Sequence, residues 1–387
     1  MKPSGNQNKT PEDFKNFKAE IKVASSGRIN LIGEHTDYNQ GFVMPTAIDK
    51  KIHFKFRKNQ CGNVGRIFSE TFKTYVEFSL DKISKSKNPW ENYLLGVIDE
   101  IKKTGKEIQG FDCIIKSELP IGAGISSSAA LECGFASGLN SLFSLDLAQM
   151  EIVQLSQRAE NNFVGNNCGI MDQFASVMSK KDHFIKLDCE SMNAKFIPAK
   201  IQHCKLLLLN TNISHNLADS EYNIRRQECE NAVAIIQRKY KEVKSLRQVT
   251  FNMLEEFKEK IGATSFMRCL YVLEENKRVQ ETEKALQAGD LKAIGELMYA
   301  SHRGLQQQYE VSCPELDFLV DFSENKAFIY GSRMMGGGFG GCTINLIETD
   351  KINPYIEDVN KVYLEKFNIA VTAITVIPDE GTKITKV

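Results

Sequence analysis

The apolar and polar positions change period several times along the chain, and each change predicts an element. Alternation predicts strands over residues 21–24, 51–57, 75–80 and 111–116. Spacings of three and four predict helices over 90–103, 128–141, 147–161, 251–261, 265–288 and 291–308. Another opens at Asp219 and carries Tyr222, Arg225 and Arg226. Residues 205–210 are mostly aliphatic and read as a buried strand, with 211–215 as the turn after it. Thr10-Pro11-Glu12-Asp13 is a helix start, and Ser312-Cys313-Pro314-Glu315 reads as a capping box opening a further helix. Residues 1–9 are polar and are expected to be disordered.

Between the strand at 111–116 and the helix at 128–141 lies a short turn, Gly122-Ala123-Gly124, followed by Ile125 and the serines Ser126, Ser127 and Ser128. A glycine turn opening into a helix leaves backbone N–H groups unpaired and aimed outward, with the positive end of the helix dipole behind them. That is an anion site, most often for phosphate. The serines can cap the helix, bind phosphate oxygens or ligate a hard cation. A bare glycine turn with a serine cap would show the same letters.

The stretch 27–48, GRINLIGEHTDYNQGFVMPTAI, is a second unusual region. Arg28, Glu34, His35, Asp37 and Tyr38 crowd around the apolar pair Leu31-Ile32. A strand ending at Gly33 and delivering a polar cluster to a pocket fits this order. Carboxylates and an imidazole without lysine suit hydrogen bonds to sugar hydroxyls. The spacing lacks the paired histidines of a zinc motif. A salt-bridged turn built on Arg28 would leave the same pattern. Further along, Glu160 sits near a helix end, where a carboxylate facing a phosphate site suits Mg²⁺. Asp172 stands in the apolar run 167–175, where an acid is costly unless paired or used, and is a candidate base or orienting group.

Residues 331–342 hold Gly336, Gly338 and Gly341, formally G-x-G-x-x-G. A dinucleotide fingerprint needs a helix next, and residues 342–347 are strand-like instead. A glycine-rich hairpin approaching the phosphate turn is the better reading. There is no Walker A sequence and no protein-kinase signature.

Composition narrows the class. The 387 residues suit two domains, divided near residue 200, and a formal net charge of zero gives no basic footprint for nucleic acid. The aliphatic run 206–209 is too short to span a bilayer, and no signal peptide is visible at the N-terminus. Ten scattered cysteines with no C-x-x-C pair read as reduced thiols of a cytoplasmic protein.

Three separated motifs, at 27–41, 119–132 and 333–342, resemble in order and spacing the GHMP family of small-molecule kinases. CGIMDQ at 168–173, SHNLADSEYNIRR at 214–226 and SHRGLQQQYEVSCPELD at 301–317 resemble the galactokinase branch of it. The resemblance runs from about residue 21 to the C-terminus. It implies an α+β fold of two domains, the first like ribosomal protein S5 and the second ferredoxin-like, with the active site in the cleft between them. It implies ATP and Mg²⁺, galactose as the small-molecule substrate, and a monomer without nucleic-acid or membrane partners. By motif, Asp172 and Arg28 would be catalytic. Glu34, His35, Thr36, Asp37, Gly169 and Tyr222 would bind the sugar. Gly122, Ala123, Gly124, Ile125, Ser126, Ser127 and Ser128 would wrap the nucleotide's phosphates, with Ser69 toward its base. Ser128 and Glu160 would ligate Mg²⁺. Three positions depart from the family: Ser26 for proline, expected to loosen a turn, Met335 for threonine and Ile125 for leucine. A kinase for a related sugar such as N-acetylgalactosamine or arabinose, and a non-catalytic sugar sensor, are the alternatives. The complete serine run favours an enzyme.

Overall fold

The computed structural model describes residues 11–120, 122–214 and 218–387. The expectation for residues 1–9, and Thr10 as a helix cap, lie outside these.

The larger sheet has its strands in the spatial order Lys383–Lys386, Ile21–Asn30, Pro45–Lys58, Phe111–Ser117, Val64–Ser69 and Thr74–Ser79. Neighbours are antiparallel except Val64–Ser69, which runs parallel to Phe111–Ser117. The strand Ile21–Asn30 is longer than the alternation at 21–24 predicts, and a bulge between Ser26 and Arg28 re-aims the residues that follow. Helices Pro89–Lys103, Ser127–Phe143, Gln149–Arg158 and Met171–Met178 form the layer on its buried side.

Glycines set how closely that layer sits. A Cβ on Gly138 would overlap the Phe56 ring, and one on Gly134 would overlap Phe54 and Ser25. These two glycines, one helical turn apart, are notches that receive the stacked pair Phe54–Phe56, whose centroids are 5.9 Å apart. The packing holds the helix carrying the phosphate turn flat against the sheet.

The second sheet runs Ile329–Met335, Gly340–Glu348, Cys204–Ser214, Thr372–Val376, all antiparallel. Its central strand explains the leucine run. Leu206 and Leu208 face the main core, while Leu207 and Leu209 face a separate cluster under helices Pro314–Glu324 and Ile352–Phe367. The strand continues to Ser214, through the residues read as a turn. Tyr363 donates to Thr211 O at 3.0 Å and Thr211 donates to Gly341 O at 2.9 Å, so 211 is locked inside the fold. A small third sheet joins Phe42–Val43, His183–Asp188 and Ala194–Pro198.

The long helix Ala263–Ala288 packs beside Ala218–Ile236 and Leu291–Gln307. Two helices differ in detail from expectation. The one at 251–261 breaks at Phe257 into Phe251–Glu256 and Lys258–Ile261. The helix at 314 is capped at Cys313 without a side-chain cap bond, while Ser312 Oγ donates to Asp317 Oδ1 at 2.5 Å. Strands 64–69, 183–188, 194–198 and 372–376 and the helix Ile352–Phe367 are absent from the predicted elements.

Two sheets, each backed by helices, make an α+β arrangement whose two parts are not separate along the chain. The C-terminal strands Pro378–Asp379 and Lys383–Lys386 return to the first sheet, and the largest apolar cluster draws on residues from Ile21 to Val376. Ser26 lies inside this return rather than in a loosened turn, its hydroxyl donating to Glu380 O at 2.9 Å.

Gly138→Ala is expected to cost about 1–3 kcal/mol through overpacking against Phe56, although alanine is the better helix former by about 1 kcal/mol. Urea unfolding of parent and variant measures it.

Candidate active site

A cavity of about 380 Å³ opens where the first sheet, the glycine turn and the second sheet's hairpin converge. Arg28 leaves its strand just after the bulge. Its Nε and Nη2 donate to Asp172 Oδ1 at 2.7 Å and Oδ2 at 2.8 Å, and its Nη1 donates to Gly124 O at 2.6 Å. One guanidinium therefore fixes an acid and the phosphate turn together. Asp172 stands in the first turn of Met171–Met178, where the helix dipole favours a carboxylate. Ser126 Oγ donates to its Oδ2. The Asp172 side chain keeps 27% of its surface open, against 5% for Arg28, so the carboxylate is the member of the pair that meets the cavity.

The polar cluster at 33–42 is a compact loop on the opposite wall. Gly33 takes φ +99°, a conformation glycine adopts without cost. Thr36 points into the loop itself, its hydroxyl shared between Gly33 O at 2.8 Å and Phe42 O at 2.6 Å. It is absent from the cavity wall, unlike Glu34, His35 and Asp37. Glu34 Oε1 accepts from Gly336 N at 2.8 Å and from Arg333 Nη2 at 3.0 Å, tying the loop to the hairpin. His35 stacks among Tyr38, Tyr222 and Tyr309, with Nδ1 2.7 Å from the Tyr38 hydroxyl. Burial holds its imidazole down at about 3, helped by the guanidiniums of Arg225 and Arg333, so it is neutral. Gly169 lies against Asp37 so closely that any Cβ there would overlap the carboxylate. Burial, reinforced by the charges of Asp172 and Glu34, pushes the Asp37 carboxyl up to about 6.

The phosphate turn has Gly122 and Gly124 at φ +73° and +67°. Ser126 is left-handed at φ +55°, which frees its hydroxyl for Asp172 instead of the helix N–H groups. Ser127 and Ser128 open the helix and line the cavity, as does Ile125, while Ala123 turns into the core. The hairpin does come close to this turn: a Cβ on Gly336 would sit 3.4 Å from Gly124 O, and one on Gly124 would sit 3.3 Å from Met335 O. Met335 itself packs in the main core, so the side chain at this departure from the family faces away from the nucleotide side. Ser69 lies outside the cavity, at the end of its strand, where its hydroxyl accepts from Phe72 N at 3.1 Å.

Glu160 rides on a widened helical turn, Ala159–Val164, that continues Gln149–Arg158. Its oxygens accept from Asn166 Nδ2 and Gln173 Nε2, both at 2.8 Å. Burial, with the charge of Asp172, raises its pKa, and burial beside Glu160 pushes Glu132 well above the carboxylate range. Ser128 and Glu160 both line the cavity and offer oxygen donors, and the buried Glu132 Oε1 and Gln173 Oε1 lack hydrogen-bond partners. That donor set fits Mg²⁺.

A galactokinase galactose-binding signature matches residues 12–58, the GHMP kinases N terminal domain matches 92–180 and the GHMP kinases C terminal domain matches 282–363. The galactokinase of Thermosipho africanus is 42% identical over 370 residues, spanning 94% of this chain and 100% of its own. The chain belongs to the galactokinase family. The galactokinase of Thermotoga maritima is 41% identical over 350 residues, 90% of this chain and 95% of that one. The crystal structure of Lactococcus lactis galactokinase complexed with galactose superposes with a TM-score of 0.91 at 35% identity, covering 97% of each chain. Mevalonate kinase from Methanococcus jannaschii, at 19% identity and TM-score 0.66 over 94% of this chain and 99% of its own, shares the fold.

Galactokinase motifs pointed to most of the cavity wall, but they left out Tyr93 and Asn166, and gave no role to Cys168, Met171 or Gly337. Tyr93 carried a signal, three residues past Trp90 on one amphipathic face. Trp90 stacks on Phe72 at 5.5 Å. Tyr309, whose hydroxyl lies 2.9 Å from that of Tyr38, sits in the motif at 301–317 but had no assigned role, its partner being 271 residues away.

The raised Asp37 pKa makes a stability prediction. In the folded protein the proton is held up to about pH 6, in the unfolded chain only to about 3.8. Asp37 therefore favours folding most below the unfolded value, and that contribution is lost as pH rises through 6. Asp37→Asn escapes the loss, so its melting temperature relative to the parent is expected to climb between pH 4.5 and 7.5. Thermal scans across that range, without sugar, measure the trend.

Proposed function

We propose that this protein is a galactokinase in activity as well as family: it transfers the γ-phosphoryl group of ATP to the C1 hydroxyl of α-D-galactose, in the cytoplasm, using Mg²⁺. The observation that carries the reading is the placement of Asp172, clamped by Arg28 and Ser126 between the polar loop and the phosphate turn. Phosphoryl transfer asks for positioning and charge stabilisation rather than covalent chemistry.

The roles follow from position. Glu34, His35, Asp37, Tyr222 and the backbone at Gly169 surround the sugar. Neutral His35 offers one donor or acceptor without charge, and Asp37 accepts from hydroxyls. Asp172 orients the C1 hydroxyl and takes its proton as the oxygen attacks phosphorus. Arg28 keeps that carboxylate in place and adds positive charge beside the moving phosphoryl group. Backbone N–H groups of residues 122–128 and the helix dipole receive the phosphates. Ser128 and Glu160 would hold Mg²⁺, which when bound neutralises phosphate charge. Thr36 shapes the loop, Ala123 packs the turn, and Ser69 falls outside this site.

ATP consumption by the purified protein with Mg²⁺ tests the reading across galactose, N-acetylgalactosamine, glucose, arabinose and no sugar. Galactose is expected to exceed every other sugar by at least about tenfold. Turnover on another sugar would move the substrate and keep the chemistry. No turnover from protein that binds ATP would overturn the enzyme.

A further inference from the structure

The polar loop closes on itself but takes the acceptors for two of its N–H groups from elsewhere. Thr36 draws Gly33 and Phe42 together through their carbonyls, which leaves the two N–H groups at those positions facing inward. A buried N–H without an acceptor is costly. Both are answered from one place. Gly33 N donates to Glu275 Oε1 at 2.8 Å across 242 residues of sequence, and Phe42 N donates to Asn276 Oδ1 at 2.7 Å across 234. One turn earlier on the same helix, Ala263–Ala288, the Tyr271 hydroxyl donates to Glu34 O at 3.1 Å.

The support is itself rigid. Glu275 is fully buried, and its carboxylate also accepts from Ser301 Oγ at 2.7 Å and Arg278 Nε at 2.6 Å. Asn276 is 8% exposed. A Cβ on Gly41 would overlap Asn276 Oδ1, so the loop backbone lies directly on the amide. None of the three helix residues lines the cavity. They meet the loop from behind, Tyr271 also packing on Tyr309 with ring centroids 4.8 Å apart, while Glu34, His35 and Asp37 line the cavity.

We infer that Tyr271, Glu275 and Asn276 form a clamp that positions the sugar loop and so sets sugar affinity independently of the nucleotide side. The inference rests on the galactokinase reading for the identity of the sugar. The clamp acts on residues 33–42 from behind: it fixes the backbone from which His35 and Asp37 project toward Asp172. It reaches the phosphate turn only indirectly, through Glu34 and the hairpin, while the turn's direct supports are Arg28 and the hairpin.

The test compares parent, Asn276→Ala, Asn276→Asp and Tyr271→Phe. Galactose affinity is read by calorimetry without nucleotide, ATP affinity separately, and backbone exchange by hydrogen–deuterium exchange of peptides covering 33–42. Asn276→Ala is expected to weaken galactose by about tenfold and Tyr271→Phe by about threefold to tenfold. ATP affinity should stay within about twofold. Asn276→Asp keeps the acceptor oxygen and should return galactose affinity to within about threefold of the parent. Peptides over 33–42 should exchange faster in Asn276→Ala. Unchanged galactose affinity in an Asn276→Ala protein whose loop exchanges faster would overturn the clamp, as would ATP affinity falling in step with it. A parent that binds galactose but consumes no ATP would overturn the kinase reading alone, and the affinity ratios would still judge the clamp.

Discussion

The contact between Arg28 and Asp172 is the constraint around which the site is built. Its fork of donors reaches a carboxylate on one helix and a carbonyl in the turn that opens another. The strand carrying Arg28, the turn at Gly124 and the helix at Met171 are brought to one point by this guanidinium. Leaving one partner of a buried, hydrogen-bonded ion pair alone costs about 3–5 kcal/mol. The bulge at Ser26/Arg28 and the left-handed backbone of Ser126 are local distortions that this arrangement requires and holds in place.

Around that centre the two halves of the chain share the main apolar core, and at the site itself two main chains meet. Glycines of the hairpin lie on glycines of the phosphate turn, which lets two main chains approach within van der Waals distance. Arg333 adds a side-chain tie. Fully buried, it donates to the carbonyls of Leu31 and Asn30 and to Glu34, binding the second sheet to the first domain's polar loop. The polar loop is thus gripped by the hairpin at Glu34 and by the helix at Glu275 and Asn276, so it is held by both halves of the chain.

Local pattern made the centre legible. The glycine turn before a helix, the acid in an apolar run and the crowded polar stretch after Leu31-Ile32 each break an ordinary pattern, and sequence can show a broken pattern. The four leucines at 206–209 were legible because a doubly buried strand is apolar on both faces. Other elements were silent for physical reasons. The short strands at 183–188 and 194–198 carry lysines on an exposed side and little alternation. The helix Ile352–Phe367 is legible in Ile352, Tyr355, Val359 and Tyr363, although it is missing from the predicted elements. Thr36 could not be told from its neighbours, because a threonine that closes a loop and one that binds a hydroxyl share the same letter. Glu275, Asn276 and Tyr309 act across more than two hundred residues, a distance that periodicity does not reach.

The most direct test of the account is Asp172→Asn, assayed for galactose phosphorylation and for ATP binding. Asparagine keeps an oxygen for Arg28 and Ser126 but cannot take the proton of the C1 hydroxyl. Turnover is predicted to fall by about 10²–10⁴-fold, with ATP affinity within about threefold of the parent. Turnover near the parent's in a folded variant would contradict the account and remove Asp172 from the chemistry.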